Sequence, residues 1–486
     1  MTNRLRPRWR LLAVLFAALA IVASACGDDS SSGDDEGDDS SEQSTASATL
    51  RVPDDHDTIQ GAVDAAAPGD LILISPGVYN EAVTVSTEDL TIRGLDRNEV
   101  ILDGEFERDN GIFVVEADGV AVENMTARNY TGNGFFWTGV EGYRGSYLTA
   151  YRNGDYGIYA FDSVKGQLDN SLGSGSPDAG FYIGQCYPCE AVIDNVISEY
   201  NGLGYSGTDS GGELYIVNST FRNNRAGIVP NSGSYELCYP GRDNTIVGNL
   251  VHDNNETDNP AIDVALLAQG NGILVAGSVR NTVERNLVWN HDRTGIGLVP
   301  FPEEDASDLA PDPSEWDEPC TEEVKSADVT IPDEDCEAVD GLLEGCVVFW
   351  NPFENRVVGN SVEGSGVADI AVGTVDLLDT GETTDTLDNC FADNTFETSA
   401  PADVEALAPC DGEGSGGDWN AGALDLIGLL GSPAEAPPED AYKTTPEPGE
   451  QPNMPDAESA PARPARDVPM AVDVEAIELP SKPADS

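Results

Sequence analysis

The chain has 486 residues, of which 88 are acidic and 24 are lysine or arginine, for a formal net charge of -64 at pH 7. So large an excess of carboxylates repels phosphate backbones and anionic headgroups, and it excludes nucleic acid and a negatively charged lipid surface as electrostatic partners. It suits divalent cations, basic partners or plain solubility of a long exposed surface, so charge alone names no ligand.

In chain order, Arg4, Arg6, Arg8 and Arg10 precede an apolar run from Leu11 to Val22, the layout of a secretory signal peptide. The run is too short for an ordinary spanning helix. It ends in Ala23-Ser24-Ala25-Cys26. Small residues before a cysteine resemble a bacterial lipobox, and that resemblance implies cleavage after Ala25 and acylation of Cys26. Plain secretion with Cys26 free is the alternative. Losing the signal's four arginines brings the net charge to -68. Residues 26–47 are rich in Asp, Ser and Gly, which bury no core and form a solvated, self-repelling tether. The expected location is the extracellular face of a membrane, with the lipid as the only membrane contact.

The body, expected over residues 48–430, opens with Asp57 placed to cap a short helix whose Ile59, Ala62, Val63 and Ala66 share one face. The apolar run Leu71-Ile72-Leu73-Ile74 follows. Beyond it a unit recurs in which a glycine precedes a large apolar residue: Gly134-Phe135, Gly157-Ile158, Gly180-Phe181, Gly204-Tyr205 and Gly227-Ile228, spaced 23, 23, 24 and 23 residues apart. A second column reads Asn124, Tyr147, Asn170, Asn195, Asn218, Asn249, Asn286 and Asn360. Short strands with glycine at fixed corners and this period mean a solenoid, in which each coil buries its apolar face only by stacking on its neighbours. A leucine-rich repeat or a propeller needs a different pattern.

Thr58-Ile59-Gln60, Pro68-Gly69-Asp70 and Pro76-Gly77-Val78-Tyr79 together with the repeat resemble pectin-lyase-like β-helix proteins over roughly residues 48 to 400. The resemblance implies an all-β, right-handed parallel β-helix with an N-terminal capping helix, and carbohydrate chemistry in a groove along the outside of the coil. The Gly-His-Gly and Asp-Phe-Ile-Phe-Gly signatures of its polygalacturonase and methylesterase branches are absent. The short Asn-rich repeats also resemble a periplasmic copper-maturation protein, but the chain has only His56, His252 and His291 and few methionines, a poor copper ligand set.

Two residues before the glycine column, Asp155 and Asp178 are in register and are expected about 5 Å apart in adjacent coils. Like charges so placed need a proton, a calcium ion or a basic neighbour. The pair could act as acid and base in a glycosidase, or hold calcium for a lyase, with Arg152 as the basic group. The bland alternative is that each aspartate caps its own turn. Tyr130 to Phe161 holds ten aromatics in 32 residues. Strand alternation cannot bury them all, and Trp137, Tyr156, Tyr159 and Tyr182 are candidates for sugar contacts. Arg128, Arg144 and Lys165 lie in the same coils. His252 and His291 are read as surface turn residues.

Beyond Cys26 stand Cys186, Cys189, Cys238, Cys320, Cys336, Cys346, Cys390 and Cys410, an even set that in an exported protein points to disulfides. Residues 301–345 are an acidic, cysteine-bearing insertion. The final stretch, 431–486, has 12 prolines in 56 residues and is expected to be a disordered tail. The favoured function is a surface-anchored β-helix, monomeric, that binds and in its strongest form cleaves an extracellular polysaccharide. The competing reading is a non-catalytic adhesion or structural module. The longest excursions, 231–242, 255–269 and 301–345, fall downstream of the aromatic cluster, and groove walls built from them are expected on the wrong coils.

Overall fold

A computed structural model describes residues 47–304, 320, 347–373 and 387–483. The signal, Cys26 and its tether, Cys336, Cys346 and most of the acidic insertion lie outside the described residues. No helix among the described residues is long and apolar enough to cross a membrane.

The chain winds into a right-handed parallel β-helix. Each coil gives one strand to an 11-stranded front sheet and a bent pair to a 20-stranded rear sheet. In one such coil Phe135–Thr138 lies in the front sheet, and Glu141–Tyr151 runs along the rear, bending at Tyr147, whose φ is 54°. Ladder partners stand 23 residues apart, as in Phe135↔Ile158 and Ile158↔Phe181. The inward column Ile112, Phe135, Ile158, Phe181, Tyr205, Ile228 and Ile273 is fully buried. Burying such side chains contributes roughly 1.5–3 kcal/mol each.

The glycine column has a steric cause. A Cβ on Gly157 would stand 2.6 Å from the Gly180 carbonyl oxygen, and one on Gly227 2.4 Å from that of Gly272. At this corner the next coil's backbone fills the space of any side chain.

The asparagine column is two columns. Asn124, Asn170, Asn195 and Asn218 hold the left-handed corner, with φ of 50–57°, a conformation asparagine tolerates. Gly248 and Arg285 take that corner in later coils, and Asn249, Asn286 and Asn360 stand one place further on. There they point inward and are buried. Asn286 Oδ1 accepts from the Asn249 backbone N–H at 3.0 Å, and Asn360 Oδ1 accepts from that of Asn286 at 2.9 Å. Another ladder runs Asn201, Asn224, Asn254 and ends on His291. His291 is therefore interior rather than at the surface, and burial pushes its imidazole down to about 3.

The helix α1 (Ile59–Ala65) buries Ile59, Ala62 and Val63. Its cap is Thr58, not Asp57: the Thr58 hydroxyl accepts from the Gly61 N–H, and the Glu81 carboxylate accepts from Ile59 and Gln60.

The expectation of a disordered tail is corrected. Described to residue 483, the tail packs on the coil, and from Thr445 onward it lies along the rear sheet as a strap. Arg152 donates to the Thr445 carbonyl, Asn124 accepts from Met454, and Arg93 donates to the carbonyls of Ala460 and Pro461. The strap turns near Arg466, which pairs with Asp89, and returns past Gln167 to Arg285. Its Val472, Val474 and Ile477 cover Val192, Val217 and Val247. A proline-rich segment has no core of its own, but it is already extended and loses little entropy on docking. It borrows the solenoid's core.

Candidate functional site

The outward side chains of the front sheet carry the aromatic residues. Strand alternation turns Phe135 and Trp137 inward and Phe136 outward. Trp137 is fully buried in the coil, so this candidate sugar contact is corrected to a core residue. Outward, the ladder Phe113↔Phe136↔Tyr159↔Tyr182 forms a stripe along the axis. Ring centroids are 4.9 Å apart for Phe113 and Phe136, 4.4 Å for Phe136 and Tyr159, and 5.0 Å for Tyr159 and Tyr182. Tyr156 stacks on Tyr159 at 4.2 Å from the turn before the strand. Phe113, Phe136, Tyr156 and Tyr159 are half-buried, while Tyr182 is covered.

Asp155 and Asp178 stack as expected, with the Asp178 N–H donating to the Asp155 carbonyl at 3.2 Å. The Tyr156 hydroxyl donates to Asp178 Oδ2 at 2.5 Å, and Asp178 Oδ1 is buried with no hydrogen-bond partner. Burial, then the Asp155 charge, pushes the Asp178 carboxyl up to about 8. Burial, then Asp109, pushes Asp155 up to about 6. The proton is thus what relieves the like-charge stack near neutral pH. A calcium ion fits poorly, because it takes 6–8 oxygen ligands. Among the described residues no three acids, histidines or cysteines gather as a metal site.

The excursions reach back to the coils of the stripe after all. The segment 231–241 folds back so that Glu236 Oε1 accepts from the Tyr182 hydroxyl at 2.6 Å, while Leu237 N–H donates to Gln185. Burial pushes the Glu236 carboxyl up to about 8 despite that bond, with Asp178 and Asp162 adding to the rise. The excursion 255–269 reaches back through Ile262 N–H to the Pro177 carbonyl at 3.1 Å. Its helix α2 (Asp263–Ala268) joins an apolar cluster with Ala179 and Leu203, against which Tyr156 packs. A Cys238–Cys320 disulfide ties the 231–241 segment to the insertion, and Cys186–Cys189 and Cys390–Cys410 are also bonded.

Arg152 does not join the carboxylates: its Nε is bound to the Thr445 carbonyl and its guanidinium lies 5.7 Å from the Tyr151 ring. Arg128 pairs with Asp103, Arg144 with Glu123 and Asp169, and Lys165 with Glu141. Sequence reasoning missed Phe113, Phe136 and Glu236. The two rings had a signal, since each follows the Gly-apolar pair by one residue, in phase with Tyr159 and Tyr182. Glu236 had none.

Residues 80–238, which contain the stripe, both aspartates and Glu236, match the family model described as "Right handed beta helix region". A search of curated proteins gave no match. Among solved structures the chain is similar to the A-module of Azotobacter vinelandii mannuronan C-5 epimerase AlgE4, with 16% identity and a TM-score of 0.41, covering 74% of this chain and 94% of that one. It is also similar to an alginate lyase from Paenibacillus sp. str. FPU-7, with 17% identity and a TM-score of 0.37, covering 52% and 90%. For pectate lyase Pel9A the figures are 11%, 0.39, 85% and 90%. Likeness at this level says nothing of substrate or reaction.

Proposed function

We propose that this right-handed parallel β-helix binds a polysaccharide along its front sheet. The observation that carries the reading is the outward ring column Phe113, Phe136, Tyr159, with Tyr156 stacked on it, ending against Asp155, Asp178 and Glu236. The half-buried rings supply flat apolar faces, Asp155 supplies directional hydrogen bonds, and the folded-back excursions close one end. The lipobox-like Ala23-Ser24-Ala25-Cys26 supports display of this face outside the cell on a lipid anchor.

Cleavage is the second reading, favoured by two adjacent carboxyl groups with separated proton affinities, Asp178 as acid and Asp155 as base. The test is glycan-array binding of the chain with and without calcium, beside Tyr159→Ala and Asp155→Asn/Asp178→Asn, followed by mass spectrometry of bound glycans for shortened products. Loss of a stacked ring should weaken binding 10-fold or more, about 1.4 kcal/mol. Failure to bind any glycan leaves the non-catalytic structural reading.

A further inference from the structure

The basic side chains nearest the stripe on its own coils are held by partners of their own. Arg108 pairs with Glu105, Arg128 with Asp103, Arg144 with Glu123 and Asp169, Lys165 with Glu141, and Arg152 holds the strap. The basic residues of the walls are anchored by neutral acceptors, with Arg242 Nη2 buried and without a hydrogen-bond partner among the described residues. Arg225 donates to the Thr257 and Asn259 carbonyls and to Gln269, Arg242 to the carbonyls of Cys238 and Pro240, and Arg293 to those of Leu267 and Ser432. What does surround the stripe is acidic: Asp155, Asp178 and Glu236 at its closed end, with Asp109 and Asp162 acting on them. Asp178 is more than nine-tenths buried and keeps one carboxyl oxygen without a partner.

We propose that the polysaccharide held by this stripe is an uncharged hexose polymer rather than a uronate. The inference rests on the binding reading above and deepens it. A uronate chain carries a carboxylate on every sugar, and at the closed end of the stripe these would meet Asp155 and the Asp109 charge that acts on it, with no cation among the groups acting on Asp155. An uncharged chain meets no such repulsion. Its ring faces stack on Phe113, Phe136 and Tyr159, and its hydroxyls bond to the partly exposed Asp155 carboxyl group whether this is protonated or not, since a carboxylate accepts and a carboxylic acid also donates.

Calorimetric titration of the full-length chain in detergent tests this, with cello-, malto-, galacto- and manno-hexaoses as uncharged probes and hexagalacturonate and hexamannuronate as charged ones. At least one uncharged hexaose should bind 10-fold or more tighter than either uronate at low salt, with the gap narrowing at high salt and binding lost in Tyr159→Ala. Uronate binding as tight as the uncharged probes, and lost in Tyr159→Ala, overturns the inference and leaves the binding reading standing. Binding that survives Tyr159→Ala places the ligand elsewhere and overturns both, as does the absence of binding to every probe.

Discussion

Asn286→Ala perturbs the interior ladder at its middle. Asn286 Oδ1 is the acceptor for the Asn249 backbone N–H at 3.0 Å and for Asn249 Nδ2 at 2.9 Å. Its own Nδ2 donates to the Ile246 carbonyl at 2.9 Å and to Asn360 Oδ1 at 3.0 Å. Truncation leaves the Asn249 N–H with no side-chain acceptor in a fully buried site, a cost of about 1–3 kcal/mol. The two bonds donated by Nδ2 add about 1 kcal/mol together, because Asn360 Oδ1 keeps the Asn286 N–H. The expected loss is about 2–4 kcal/mol. Asn218→Gly is the comparison: Asn218 sits at the exposed left-handed corner with φ 50°, which glycine adopts freely, and its side chain makes one exposed bond, to Asp194. That change should cost under about 1 kcal/mol. Urea unfolding followed by circular dichroism reads both midpoints. Equal shifts, or a larger one for Asn218→Gly, would refute the division of the asparagines into an interior ladder and a surface corner.

Asp178 gives a pH dependence whose sign follows from its raised affinity for a proton. Between its ordinary value near 4 and the folded value of about 8, the folded chain keeps the proton that the unfolded chain loses, so stability falls as pH rises through that window, by at most about 1.4 kcal/mol per unit. Asp178→Asn should flatten the profile of melting temperature against pH; an unchanged slope places the titration elsewhere. Trypsin should cut slowly after Lys443 and Arg466 in the folded chain, because the strap engages both flanks of these residues, whereas immediate cleavage at either would mean that the tail is not docked.

The coil was legible because its signal is redundant: several glycine-apolar pairs at a 23-residue step fix the register, and any one may fail without loss. The asparagine column was misjudged at one point, between Asn218 and Asn249, where an excursion of variable length hides a shift of one residue. At that corner a shift of one carries a side chain from the surface to the interior, which is why Asn218 is exposed and Asn249 buried. Trp137 illustrates the same limit. Alternation predicted that some aromatics turn inward, but not which phase the strand takes.

The site was half legible, and the missing half has a geometric cause. Along the sequence, Glu236 is 54 residues from Tyr182, and the excursions looked remote from the aromatic coils. In a solenoid that distance collapses, because each 23-residue coil advances only about 4.8 Å along the axis. A loop of ten residues spans up to about 33 Å when extended, so an excursion rooted two coils away reaches the stripe easily. Direction is what sequence does not supply: segment 231–241 could fold forward or back, and it folds back because Tyr182 and Gln185 offer it partners. The arginines make the complementary point. Arg128, Arg144 and Arg152 share coils with the aromatic residues, yet a coil has a front and a rear, and all three belong to the rear sheet or the turn that leaves it. Proximity in a repeat is therefore set by the position within the coil far more than by the number of residues between two side chains.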